Sequence, residues 1–310
     1  MIVRGNQKLV RVGLALSGGG GRGLAQVGVL KHLEAAEIPI DLIVGSSIGA
    51  IIGGTYACWP DAGELERRIV EFVTGKYMEG INLAMVRRLG GRPTIDGPSL
   101  EDPGLGARIQ ASIRGLYASH LALSRRSVLS GERVRRVLED LFEEKTFDET
   151  KIPFGAVAVD LNAGREVIIR SGPLALGVTA SSAIPGIFPP VEIDGRLLAD
   201  GGYASPVPID AARTMGANVV IAVDVSQRGI PGVRLSNGVE IAMRASEISL
   251  IALEQEQLRR ADVVIAASGQ ARHWSDFSFP EEAISAGELA CENLLDNVRA
   301  AIEQRAQLFI

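Results

Sequence analysis

Ile40-Asp41-Leu42-Ile43-Val44-Gly45-Ser46-Ser47-Ile48-Gly49-Ala50 is an apolar run, a pair of serines between glycines, and the start of a small-residue helix that continues to Cys58. Its centre, Gly45-Ser46-Ser47-Ile48-Gly49, is Gly-x-Ser-x-Gly between a strand and a helix. A sharp strand-to-helix turn leaves no room for side chains beside its central serine, so both flanks need glycine. The turn lifts the serine oxygen clear of the sheet, at the positive end of the following helix. Register makes Ser47 the candidate nucleophile and Ser46 the spacer. In a chain with 36 glycines the pattern arises by chance, so the flanking strand and helix are what give it weight.

Upstream, residues 10–16 alternate like a strand and run into Ser17-Gly18-Gly19-Gly20-Gly21-Arg22-Gly23, before a helix over 24–36 and a strand over 42–44. Two such units imply parallel strands with right-handed crossovers. The glycine loop has three readings. Gly18, Gly20 and Gly23 satisfy the dinucleotide pattern, but that fingerprint needs an acid at the end of the second strand, and Asp41 stands at its start. A phosphate loop needs Gly-Lys-Ser/Thr, where this chain has Arg22-Gly23-Leu24. The third reading is an oxyanion hole over Gly18, Gly19, Gly20, Gly21, Arg22 and Gly23, whose consecutive glycines expose N–H groups near a helix N-terminus. A tight turn accounts for one or two of these glycines, not five in six positions. If the first two strands are neighbours, this loop and the serine turn lie at the same carboxyl edge.

Downstream, Asp61 and Glu64 open a helix over 65–73 in the manner of a capping box. Residues 75–130 carry repeated Gly-Pro breaks and a helical stretch over 105–123. They read equally as an insertion beside the active-site edge or as a surface excursion. Ser130 caps a helix over 132–142, with Val134, Val137, Leu138 and Leu141 on one face. Strands follow over 154–161 and 166–169, a helix over 173–182, and the proline-rich stretch 184–190. Then come a hairpin over 191–198 around Asp194-Gly195, a helix over 208–215 and an apolar strand over 219–225. Residues 226–310 supply C-terminal helices, over about 239–260 and 280–307, and one strand over 263–266. Alternation from end to end predicts one α/β domain over 1–310: three layers, α/β/α, around a mainly parallel sheet.

The serine needs a proton acceptor, and the chain has three histidines. His32 sits in the first helix beside charged neighbours, and His120 in the helical excursion. His273 follows the last predicted strand, where a Ser–acid–His triad would want it. Asp200 is the better candidate: Leu197-Leu198-Ala199-Asp200-Gly201-Gly202 puts a carboxylate after an apolar strand and before two glycines that let the backbone turn tightly. An ordinary turn aspartate has the same appearance.

The chain has 310 residues, 46% hydrophobic and 22% charged, which suits an enzyme with a large core. A net charge of −5 gives no support for nucleic-acid binding. Cys58 reads as a buried thiol, Cys291 lies far from it in sequence, and no spacing suggests a metal site. Arg11 interrupts the apolar start, which therefore reads as a core strand rather than a signal peptide, and no run reaches the length of a membrane span. The expected location is the cytoplasm, with peripheral contact at the inner membrane face left open. The oligomeric state is left open too; the apolar end Leu308-Phe309-Ile310 suits an interface or the core.

Taken together, Gly18-Gly19-Gly20-Gly21-Arg22-Gly23, Gly45-Ser46-Ser47-Ile48-Gly49 and Asp200-Gly201-Gly202 resemble, in order, the motifs of the patatin-like phospholipase family, in its compact bacterial form. Residues 180–190 are similar to the family's approach to its catalytic aspartate, and the likeness covers about residues 10–225. The resemblance implies a three-layer α/β/α fold, a Ser47–Asp200 dyad without histidine, Arg22 within the oxyanion loop, and hydrolysis of lipid acyl esters without metal or cofactor. Gly45, Gly49, Gly201 and Gly202 support the motifs. The expected substrate is a lipid or acyl ester, drawn past an apolar rim of Ile187, Phe188, Pro189 and Pro190. A non-catalytic or regulatory acyl-binding protein, and a thioesterase or simple esterase using the same site, are the alternatives.

Overall fold

The computed structural model describes residues 3–4, 7–75, 127, 130–226, 238–267 and 274–309. Strands β1 (Val3–Arg4) and β2 (Gln7–Lys8) form a small antiparallel ladder of their own. The central sheet has eight strands: β3 (Val12–Leu16), β4 (Leu42–Ser46), β5 (Phe154–Asp160), β6 (Arg165–Ile169), β7 (Val191–Ile193), β8 (Arg196–Asp200), β9 (Val219–Asp224) and β10 (Val263–Ala266). Their order is β10-β9-β3-β4-β5-β8-β7, with β6 also paired to β5. From β10 through β5 every pairing is parallel, while β6 and β8 run antiparallel to β5. The mainly parallel α/β sheet expected from the alternation is present, and β3 and β4 are neighbours, with Leu16 opposite Gly45.

Both faces of the sheet are buried, so its central strands are apolar throughout rather than alternating. Val219, Ile221 and Val223 of β9 enter the larger core cluster, and Val220 and Ala222 the smaller one behind the sheet. Packed on the larger cluster are α1 (Ala25–Ala35), α2 (Ile48–Cys58), α3 (Ala62–Thr74), α4 (Gly131–Phe142) and α5 (Leu174–Ser181). The smaller cluster is covered by α6 (Ile209–Thr214) and the end of α7 (Gly238–Leu258). The chain closes with α8 (Pro280–Glu292) and α9 (Leu295–Gln307), which return to the larger cluster through Ile284, Cys291 and Val298.

The expected caps and turns form in part. Asp61 accepts the Glu64 N–H at 2.8 Å, and α3 starts at Ala62 rather than at 65. The expected capping box is only half formed, since the Asp61 N–H donates to Trp59 O and the Glu64 carboxylate pairs with Arg67 and Arg68. Asp194 and Gly195 both take positive φ, 50° and 73°, as a two-residue hairpin turn requires. Ser130 occupies the N-cap position of α4, but its hydroxyl makes no capping hydrogen bond. The expected helix over 280–307 is two helices, interrupted at Asn293 and Leu294. Its apolar residues, Ile284, Gly287, Cys291, Leu294 and Val298, keep helical spacing straight through the break, so periodicity could not reveal it. Leu308 is 73% exposed and Phe309 44%, so this end is not core. Cys58 and Cys291 are buried free thiols. Of the 75–130 stretch, 76–126 and 128–129 lie outside the described residues, as do His120 and His273; Ser127 forms a bridge with Gly186. No helix among the described residues is long and apolar enough to cross a membrane.

Candidate active site

The sheet brings a serine and an aspartate together through one edge of β5. Ile43 to Ser46 of β4 pair with Phe154 to Val157, while β6 covers residues 156–160 from the other side. Where β4 turns away, β8 takes its place on the same edge, placing Asp200 opposite Ala158. Ser46 and Asp200 therefore occupy successive rungs of β5 and approach from opposite directions.

At that junction Ser47 has φ 54° and ψ −121°, a strained backbone for a non-glycine residue. The turn is tight enough that a Cβ on Gly45 would stand 2.2 Å from the Gly49 carbonyl oxygen. One on Gly49 would meet the Leu16 oxygen at 2.4 Å. Ser181 holds the strained backbone: its Oγ accepts the Ser47 N–H at 3.1 Å and donates to the Val157 carbonyl at 2.5 Å. The Ser46 hydroxyl is buried without a hydrogen-bond partner, consistent with a spacer.

Ser47 Oγ donates to Asp200 Oδ2 at 2.7 Å. Asp200 is 4% exposed; its Oδ1 accepts the Gly202 N–H at 2.8 Å and its own N–H donates to the Ala183 carbonyl at 3.0 Å. Burial raises its pKa to about 6, against the lowering effect of the Ser47 and Gly202 hydrogen bonds. That gives a carboxylate at neutral pH, held against a hydroxyl proton, which is the geometry a general base needs.

The glycine loop lies beside this pair, since a Cβ on Gly18 would stand 3.5 Å from the Ser47 Cβ. Two of its N–H groups bond outside the loop: Gly18 donates to Pro206 O at 3.0 Å and Gly21 to Trp274 O at 2.7 Å. The need for glycine is clearest at Gly20, which has φ 59° and whose Cβ would stand 2.1 Å from the Trp274 carbonyl oxygen. Arg22 is half-buried rather than a surface charge, and its Nε donates to Gly19 O at 3.3 Å. Burial lowers the Arg22 pKa, and Glu254, Glu247 and Asp224 pull it back up. Helix α7 braces both loops. Gln257 donates to Ala204 O at 3.2 Å and accepts the Val207 N–H at 3.1 Å, on either side of the Pro206 that holds Gly18.

The structure thus groups Ser47, Asp200, Gly201, Gly202 and the loop 18–23 at one edge. His32 lies half-buried in α1. Of the expected rim, Ile187 is 7% exposed and belongs to the core, Phe188 packs against that core, and Pro189 stands close to Gly131 at the start of α4. Ser181, Gln257 and Trp274 were not identified from sequence. Each acts through a distant partner, and no local spacing signals such a bond. A cavity of about 340 Å³ lined by Asp262, Val264, Leu294 and Asn297 opens at the start of β10, the opposite end of the sheet from Ser47.

The patatin-like phospholipase family model matches residues 14–213. A patatin-like phospholipase domain-containing protein of Caenorhabditis elegans is 33% identical over 216 residues, covering 69% of this chain and 13% of that protein. An NTE family protein of Mycobacterium bovis is 34% identical over 224 residues, covering 72% of this chain and 51% of that protein. This chain therefore spans about half the length, or less, of these relatives. A solved structure of human GIVD cytosolic phospholipase A2 aligns with a TM-score of 0.45 at 12% identity, over 95% of this chain and 60% of that one. The chain belongs to the patatin-like phospholipase family.

Proposed function

We propose that this member of the patatin-like phospholipase family is a serine hydrolase that cleaves carboxylic ester bonds of lipids through a Ser47–Asp200 dyad. The 2.7 Å hydrogen bond from Ser47 Oγ to Asp200 Oδ2 carries the reading. Ser47 Oγ attacks the ester carbonyl while its proton passes to Asp200. The developing oxyanion is met by loop N–H groups. Those of Gly18 and Gly21 are engaged outside the loop and those of Arg22 and Gly23 lie within the 3-10 turn over Gly20–Leu24, so the donors we assign are Gly19 and Gly20, each worth about 3 kcal/mol to the transition state. Protonated Asp200 then gives its proton to the departing alkoxide. Water, deprotonated by Asp200, releases the acyl group from Ser47 and returns the proton to the serine.

A fluorophosphonate should label the native protein at Ser47, and Ser47→Ala should lose labelling and ester hydrolysis while remaining folded. Ser46→Ala should keep turnover within about twofold, since its hydroxyl has no partner to lose. Hydrolysis surviving in Ser47→Ala would refute the assignment. His273→Ala separates the dyad from a triad: at least about a third of wild-type turnover should remain, which allows for small packing effects. A loss on the order of a thousandfold in a folded His273→Ala protein would make histidine the base.

A further inference from the structure

Helix α7 has apolar residues on more than the face it packs with. Ile241, Ala245, Ile248 and Ala252 follow one another at steps of four, three and four, which is a single helical face, and all four are exposed. Ile241 is 54% exposed and Ile248 51%. The buried polar residues of α7 lie nearer its C-terminus, at Glu254 and Gln257. Glu254 hydrogen-bonds with the side chains of Asp224, the last residue of β9, and of Ser226. The helix therefore passes the carboxyl edge of the sheet near Glu254. Residues 238–253, about 24 Å of helix, extend beyond that edge. Ser47 and the glycine loop lie at the same edge, at the ends of β4 and β3.

The exposed face is about 18 Å long and about 10 Å wide, on the order of 200 Å², well below the roughly 800 Å² per partner of a stable protein interface. Its flanking charge is balanced, since Arg244 Nη1 pairs with Glu247 at 2.8 Å. Among the described residues of α7 there are no clustered lysines and arginines of the kind that recruit a segment to anionic lipid. A small apolar face beside a site for lipid esters suits shallow insertion at an uncharged or zwitterionic interface.

We propose that the exposed face of α7, centred on Ile241 and Ile248, docks on a lipid surface and presents the Ser47 edge of the sheet to it. This rests on the reading of the site as a lipid ester hydrolase, so the test separates binding from turnover. In the inert Ser47→Ala background, the protein should cosediment with phosphatidylcholine vesicles and stay bound at high salt. Adding Ile241→Glu and Ile248→Glu should weaken that binding by at least about tenfold. In the active chain the same pair should keep hydrolysis of a monomeric short-chain ester within about twofold and lower turnover on vesicle-borne phosphatidylcholine at least about tenfold. Three results would overturn the docking surface: no vesicle binding by the Ser47→Ala protein, unchanged binding after the isoleucine substitutions, or a wild-type dimer that those substitutions dissociate in sedimentation. If the active chain hydrolyses neither ester, the catalytic reading fails and the vesicle arm still decides the docking.

Discussion

Asp200 couples the chemistry of the site to the pH dependence of the fold. Its carboxyl is 4% exposed, and burial raises its pKa from 3.8 to about 6. Between those values the native protein holds a proton that the unfolded chain has released. Stability from this group is thus complete at low pH and is lost as pH rises through about 6. By pH 8 the buried charge costs on the order of 3 kcal/mol. Asp200→Asn carries no charge, so it should be more stable than wild type at pH 8, and the advantage should vanish near pH 4. Chemical denaturation across that range measures it, and equal stability at both ends would show that Asp200 is not buried as a charge. Turnover in the same variant should fall on the order of a thousandfold, since the amide takes no proton. If Asp200 is the base, the wild-type rate should rise with pH through about 6 as it ionises. An imidazole would titrate near 6.5, too close for the pH profile alone to separate the two. Temperature does separate them: carboxyl ionisation carries little heat, so warming should leave this limb in place, whereas a histidine limb would move to lower pH.

Among the elements, the crossing of α1 and α8 sets how the chain's last third meets the glycine loop. A Cβ on Gly28 would stand 1.9 Å from the Ile284 carbonyl oxygen, and one on Gly287 would stand 1.8 Å from that of Ala25. The two helices touch backbone to backbone through this reciprocal glycine pair. Backbone cannot swing aside as a flexible side chain can. Gly287→Ala should therefore destabilise the protein by about 2 kcal/mol or more and lower turnover by shifting Trp274, which holds Gly21, and Asp276, whose carbonyl oxygen would stand 2.0 Å from a Cβ on Gly21. Thermal melts and initial rates would show both, and an unchanged melting temperature would mean the helices do not meet this closely. Such a contact marks what the sequence could not disclose. Strands β3, β4, β5 and β9 were legible because apolar runs between turn residues report burial on both faces, and Ser47 because an elbow demands glycine locally. Asp200 was visible as a carboxylate before two glycines, but its approach to Ser47 depends on β4 and β8 sharing an edge of β5. Gln257 and Ser181 bond residues far away in sequence, and the break at Asn293 falls within an uninterrupted apolar stripe.

At the scale of the whole molecule, the family match ends at residue 213, yet the site leans on residues well beyond it. Gln257 holds the segment after Asp200, Trp274 holds Gly21, and β10 covers the edge of β9. Val263, Ile265, Ile284, Cys291 and Val298 are all buried in the larger core cluster. Burying five such side chains contributes on the order of 10 kcal/mol, as large as the whole stability of a typical domain. Removing residues 226–310 would also bare the hydrogen-bonding edge of β9, a template for aggregation. A chain of residues 1–225, which keeps every motif from Gly18 to Gly202, should therefore show no cooperative thermal transition and no fluorophosphonate labelling. The 310-residue chain should show both. A soluble 1–225 chain that melts cooperatively and labels at the wild-type rate would mean that the last third is an accessory to a self-sufficient site. If instead it fails to fold, the motifs name the chemistry while the C-terminal segments supply the packing that keeps the glycine loop against Ser47.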